Sequence, residues 1–354
     1  MTHYEQRLEG DENALRAAVL ALADRVRGNL SNAVTALVSG DRDLAYRTIL
    51  QDGPVNRETE RIDALCHRFI ARHLPAAGHL RFVSAVMRMV VLLERMGDYS
   101  VTICRETAQL RAPLEGAFRH EVSTMATDSL GMFEKAMRAF ASRDEALARD
   151  TMRDAERVDR DFSQAFEMLL AADVSGLGMQ DVFGRLIVIM QLERVSDQAK
   201  NLCEETVFAV TGETKKRRPV RVLFVSEHDD ADAQIAAAIG NRRHRATGQF
   251  SSAGMVPAGT IRPDVAAFLE SYGFEVGTLI PEGLARASAD WSAWNVIICL
   301  DGPVDRFIDP VPFHTVVLRW DVSAEAGSIE DRYRFLSNAV AELMDTMRGP
   351  EPAA

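Results

Sequence analysis

The sequence predicts a multidomain chain: an all-α part of tandem three-helix bundles, followed by an α/β domain with a mainly parallel sheet. Three observations predict it. The block Leu93-Glu94-Arg95-Met96-Gly97-Asp98 returns as Leu192-Glu193-Arg194-Val195-Ser196-Asp197, and each copy runs on to Cys-x-Glu-Thr, at Cys104 and Cys203. The offset is 99 residues in both places (94 to 193, 104 to 203), so one structural unit is used twice. Apolar residues recur at three- and four-residue spacing up to about residue 212, and after Lys215-Lys216-Arg217-Arg218-Pro219 the pattern switches to short apolar runs between helical segments.

The helical part has six segments. Ala14 to Val38 carries Ala, Leu and Val on one face, and similar stretches cover roughly 54–73, 80–111, 117–141, 144–172 and 178–211. Glycines at 53, 78, 116 and 176 fall between segments. A second echo, Arg57 to Asp63 against Arg153 to Asp159, places an acidic helix upstream of each repeated block. These divisions put the helical domain at 1–212, with halves at about 1–112 and 113–212, and a solvated basic linker at 213–219.

Beyond the linker, Val220-Arg221-Val222-Leu223-Phe224-Val225 reads as a buried strand, and Trp294–Leu300 and His314–Trp320 as two more. Asp232–Arg243, Arg262–Tyr272 and Ser328–Arg348 read as helices. Strands alternating with helices give an α/β domain over 220–346, leaving 347–354 as a frayed tail.

Composition narrows the function classes. With 41 Lys+Arg against 52 Asp+Glu the net charge is −11, which argues against a general nucleic-acid binder. The four cysteines are scattered without a CxxC pair, as expected in a reducing compartment. No basic segment followed by an apolar stretch opens the chain, and no apolar run is long enough to span a bilayer. The expectation is a cytoplasmic protein without membrane insertion.

Glu94 and Asp98 are four apart, so on a helix they share a face, as do Glu193 and Asp197. Like charges there repel unless a cation is near. Either an arginine from a neighbouring helix answers them or a divalent or trivalent metal does, with Asp63, Asp159 and Asn201 as further oxygen ligands. Thr102 stands where the second copy has Asn201. Cys104 and Cys203 lie on apolar stretches and read as small core residues.

The twice-used LERxxDxxxxxC pattern, with the ending from Glu193 to Glu205, resembles the PhoU family over about residues 5–213. That resemblance implies two tandem three-helix bundles and a negative regulator of the phosphate-starvation response. The implied partners are a phosphate-import ATPase and a membrane sensor kinase, with a homodimer left open. It also implies metal (Fe, Mn, Mg or Zn) at Glu94/Asp98 and Glu193/Asp197.

Residues 220–346 resemble the low-molecular-weight tyrosine phosphatase and arsenate reductase family, through the strand ending at Ser226, the Ser251-Ser252-Ala253-Gly254 turn and Trp294–Ile298. That chemistry needs a cysteine thiolate, an arginine six residues on, and an aspartic acid for the leaving oxygen. Here Ser226 and Asp232 hold the first two positions, and Asp321 is the nearest remnant of the acid. The loop also carries Glu227, Asp229 and Asp230, which oppose an anion. Cys299 reads as a core residue, His228 as an exposed loop histidine, and Trp291, Trp294 and Trp320 as core anchors.

The expected function is therefore a non-catalytic regulator with a pseudo-phosphatase module for interaction or sensing. Two alternatives stay open: a hydrolase or arsenate-handling enzyme using the C-terminal domain, and a metal-binding bundle without a signalling partner.

Overall fold

The structure is a computed structural model that describes residues 3–171, 178–214, 219–287, 291, 293–309, 311, 315–322 and 327–348. It forms two compact units, Met1–Lys215 and Lys216–Ala354. The basic run 215–218 and the tail 349–354 lie outside the described residues.

The first unit is helical. It contains α1 (His3–Ser39), α2 (Arg42–Ile49), α3 (Asp52–His73), α4 (Ala77–Gln109), α5 (Gly116–Ser142), α6 (Glu145–Leu170) and α7 (Met179–Thr211). Helices α1, α3 and α4 make one three-helix bundle and α5, α6 and α7 the other. The repeat-bearing helices α4 and α7 pack against each other at the centre. Equivalent positions are buried in both: Leu93 and Leu192, Met96 and Val195, Ile103 and Leu202, Cys104 and Cys203. Each large apolar side chain so buried contributes about 1.5–3 kcal/mol. Even the polar pair is shared, because Thr107 and Thr206 are buried and each hydroxyl donates to the carbonyl four residues back.

Helix α2 departs from the six-helix expectation. Asp41 caps it by accepting from the Leu44 N–H at 2.9 Å, and Ala45 and Thr48 are buried. The same Asp-x-x-Leu-Ala cap opens α6, where Asp144 accepts from the Leu147 N–H at 2.9 Å. The first copy spends its cap on an extra short helix, whereas in the second copy it opens a long one.

The second unit holds a four-stranded parallel sheet in the order β2-β1-β3-β4. Its strands are β1 (Val220–Ser226), β2 (Gly248–Gly254), β3 (Val296–Cys299) and β4 (Val316–Arg319). The helices are α8 (Asp232–Arg243), α9 (Pro263–Ser271), α10 (Leu284–Ala287) and α11 (Ile329–Arg348). Side chains alternate between faces: Val222, Phe224 and Ile298 pack with Ile235, Leu269 and Leu336, and Leu223, Val225 and Ile297 pack with Phe307 and Ile308 on the other side. Burial on both faces is why β1 and β3 read as continuous apolar runs.

Residues 251–254, expected as a turn, form the end of β2 instead, in register with Leu223 to Ser226. Gly254 is needed there: a Cβ on it would stand 2.8 Å from the His228 carbonyl carbon. The loop after β1 therefore rests directly on β2, at the point where strand order reverses, which is where open α/β sheets usually form their sites.

Candidate functional site

The repeated carboxylates lie on α4 and α7. Tyr99 joins the two copies, sitting among the charges of Arg95 and Asp98 from one and Arg194 and Asp197 from the other. In the first copy Asp98 is exposed, yet partial desolvation against the bundle raises its carboxyl above the ordinary range, and the charge of Asp52 adds to it. Asp52 and Asn56 open α3 one turn apart, with the Asn56 amide donating to Asp52 Oδ2 at 3.1 Å. Asp52 Oδ1 and Asn56 Oδ1 are buried and meet no hydrogen-bond donor. Neither residue was singled out from the sequence, although their four-residue spacing matches that of Glu94 and Asp98.

Asp63 sits elsewhere. It is eleven positions beyond Asp52, roughly 16 Å along the helix axis, and pairs with His67 Nε2 at 3.4 Å. In the second copy the upstream acid does arrive. Burial pushes the Glu193 carboxyl up to about 7, with Asp197 and then Asp159 adding negative charge. Asn201 is half-buried one turn beyond Asp197.

A further acidic group lies between α5 and α6. Burial raises Asp161, the neighbouring Asp128 raises it further, and Asp161 in turn raises the already buried Glu121. Arg157 answers Asp128 at 2.7 Å.

These donors are carboxylates and an amide oxygen, the chemistry of a hard cation such as Mg²⁺ or Mn²⁺ rather than of a thiolate-seeking one. Among the described residues no three or more His, Cys, Asp or Glu side chains converge to hold a metal ion. In the first copy the buried oxygens left without a donor are those of Asp52 and Asn56. All four cysteines are buried free thiols, pushed up to about 11 or 12 by burial, and are core residues.

In the second unit the loop from Ser226 to Asp232 is closed by side chains, one its own and one from after β3. The Asp229 N–H donates to Ser226 Oγ at 3.0 Å, and the Glu227 N–H to Asp301 Oδ2 at 2.9 Å. Two backbone donors that could meet an anion are thus already engaged. Asp229 is fully buried in a left-handed conformation (φ 52°), accepting from Gln234 Nε2 and the Glu282 N–H, each at 2.9 Å. Burial nevertheless pushes its carboxyl up to about 6.

Asp232 begins α8 and is held by Arg332 of α11 at 3.0 Å. Arg306 meets Glu227 at 2.5 Å. The His228 ring engages the Val256 carbonyl at 3.0 Å, not Ser226. Asp321 is exposed after β4 and paired with Arg319 at 3.0 Å. Trp320 packs on Phe224 and Trp294 lies under Arg221.

Comparison with known proteins agrees with this geometry in the helical unit. The sequence model of the PhoU domain matches twice, over residues 19–107 and 122–206. The phosphate-specific transport system accessory protein PhoU homolog of Pseudomonas putida is 29% identical over 212 residues, covering 59% of this chain and 83% of that protein. The crystal structure of the phosphate transport system regulatory protein PhoU from Streptococcus pneumoniae aligns with 59% of this chain and 100% of its own, at 27% identity and TM-score 0.56. PhoU from Pseudomonas aeruginosa gives a TM-score of 0.55 at 28% identity, over 58% of this chain and 99% of its own. A thioredoxin-dependent arsenate reductase from Corynebacterium glutamicum aligns over 37% of this chain and 63% of its own, at 22% identity and TM-score 0.31. Two tandem bundles, each matched separately and each carrying the repeated block on its last long helix, place the chain by its helical unit in the PhoU domain family.

Proposed function

We propose that this protein is a non-catalytic regulator of phosphate uptake and of phosphate-starvation signalling. The observation that carries the reading is the match of both helical repeats to the PhoU domain, alongside relatives named as accessory proteins of the phosphate transport system. Its partners on this reading are the phosphate-import ATPase and a membrane sensor kinase, met at the cytoplasmic face. No helix among the described residues is long and apolar enough to cross a membrane. A hard cation held by Asp52, Asn56 and Asp98 would offset the repulsion between the two carboxylates and pin α3 to α4.

The α/β unit on this reading serves recognition rather than turnover. Ser226 accepts a hydrogen bond from the Asp229 N–H, the neighbouring His228 ring engages the Val256 carbonyl instead of the Ser226 hydroxyl, and Asp232 is spent on Arg332. The test is a phosphate-starvation reporter in cells lacking the protein and grown with ample phosphate. Constitutive expression, reversed by the full chain, is expected; unchanged repression refutes the regulator. Steady hydrolysis of an aryl phosphate by the purified chain, abolished in Ser226→Ala, would instead make the second unit an enzyme.

A further inference from the structure

The helical unit contains a cavity of about 470 Å³, a size common for sites that take small organic ligands. It opens between the two repeats. Glu12 and Arg16 of α1, the first turn of α4, Phe140 and Arg143 at the end of α5, and Ala209 and Val210 of α7 form its walls. Three arginines (Arg16, Arg81, Arg143) and His79 share the lining with a single carboxylate, Glu12, in a chain whose net charge is −11.

Glu12 organises this cluster. It is buried, and its Oε1 accepts from Arg16 at 3.2 Å and from Arg143 at 2.5 Å, while Oε2 faces His79 Nδ1 at 2.8 Å. Arg16 is further fixed by donating to the Phe140 carbonyl at 3.0 Å and by lying over the Phe82 and Phe140 rings. One carboxylate cannot answer all this charge. Arg81 Nε is buried with no acceptor, a costly condition that a bound anion would relieve. Arg143 keeps most of its side chain exposed and occupies a left-handed position (φ 57°), where helices usually place glycine. Helix α4 starts without a side-chain cap, and Ala76, Ala77, Gly78 and His79 of that end line the cavity, adding backbone donors to the guanidinium groups. Ala209 and Val210 of α7 add apolar lining.

We propose that this cavity is a binding site for a phosphate-bearing organic metabolite, its phosphate held by Arg81, Arg143 and the α4 N-terminus and its body laid against Ala209 and Val210. Guanidinium forks match phosphate oxygens, and the volume exceeds what a bare phosphate fills. The ligand would bridge α1 and α4 of one repeat with α5 and α7 of the other.

The experiment is calorimetric titration of the full-length protein with ADP as probe, with adenosine and inorganic phosphate alongside. Saturable one-site binding of ADP is expected, with no heat from adenosine. Arg81→Gln with Arg143→Gln should weaken ADP at least tenfold, since each lost charged hydrogen bond is worth roughly a factor of ten or more. Unchanged affinity in that variant, or no saturable ADP binding up to about 5 mM, overturns the proposal. If circular dichroism shows the double variant unfolded, Ala209→Phe fills the cavity without touching a charge: loss of binding supports the site and retention overturns it. Inorganic phosphate binding as tightly as ADP would overturn the organic body.

Discussion

Replacing Asp229 by asparagine should stabilise the second unit at pH 8 and flatten its pH dependence. The carboxyl is fully buried, and burial raises its pKa from the ordinary 3.8 to about 6. A rise of that size corresponds to a ceiling of about 3 kcal/mol, which the folded chain loses when the group must ionise. The sign follows from proton uptake: between the two pKa values the native state holds more protons than the unfolded state. The contribution is therefore complete below about pH 4 and is lost as pH rises through about 6. Asparagine keeps the shape and the acceptor for Gln234 and the Glu282 N–H, and it never ionises. Since its amide must also be accommodated, a gain of about 1–3 kcal/mol is expected at pH 8 and none near pH 4. Urea unfolding followed by tryptophan fluorescence isolates the effect, because Trp291, Trp294 and Trp320 all belong to the second unit. An asparagine variant less stable than the parent at pH 8, or a difference that stays constant from pH 4 to 8, refutes the reasoning.

Three further outcomes are expected. Glu193→Gln should raise the stability of the helical unit at pH 8 by about 1–2 kcal/mol, discounted for partial solvent access, and change nothing below pH 4.5; its advantage should grow as pH passes from about 4.5 to 7, as read by helical circular dichroism in urea. Gly240→Ala should cost about 1–3 kcal/mol by tryptophan-monitored unfolding, since the new Cβ would stand 2.4 Å from Phe250 Cγ. Asp52→Asn combined with Asp98→Asn should reduce Mn²⁺ retained after dialysis, measured by elemental analysis against the parent; equal retention removes the cation from this corner of the bundle.

Much of the architecture was legible because it is locally encoded. Ala14 to Val38 or Ser328 to Arg348 show their apolar faces within a single turn, and the copies around Glu94 and Glu193 show the duplication without any structure. Helix α2 escaped because eight residues carry too little periodicity, though Asp41 followed by Leu44 was a usable cap signal. Strand β2 read as a turn because Ser251-Ser252-Ala253-Gly254 lacks branched residues; only its pairing with β1 makes it a strand. Among the acids, the i, i+4 partners were visible, whereas the approach of Asp52 to Asp98 and of Asp159 to Glu193 was not.

By itself, then, the sequence determined the two-part organisation, the twofold use of a helical unit and the acidic, cysteine-free character of the loop from Ser226 to Asp232. Those are properties of neighbours one turn apart or of residue identity at one position. The tertiary structure alone decided which oxygens of α3 lie unanswered, that Asp229 ties its loop to the Glu282 backbone, and that Glu12, Arg81, Arg143 and Ala209 surround one cavity. Such groupings depend on where packed helices and strands bring distant residues together, and burial then sets the energy of each charge.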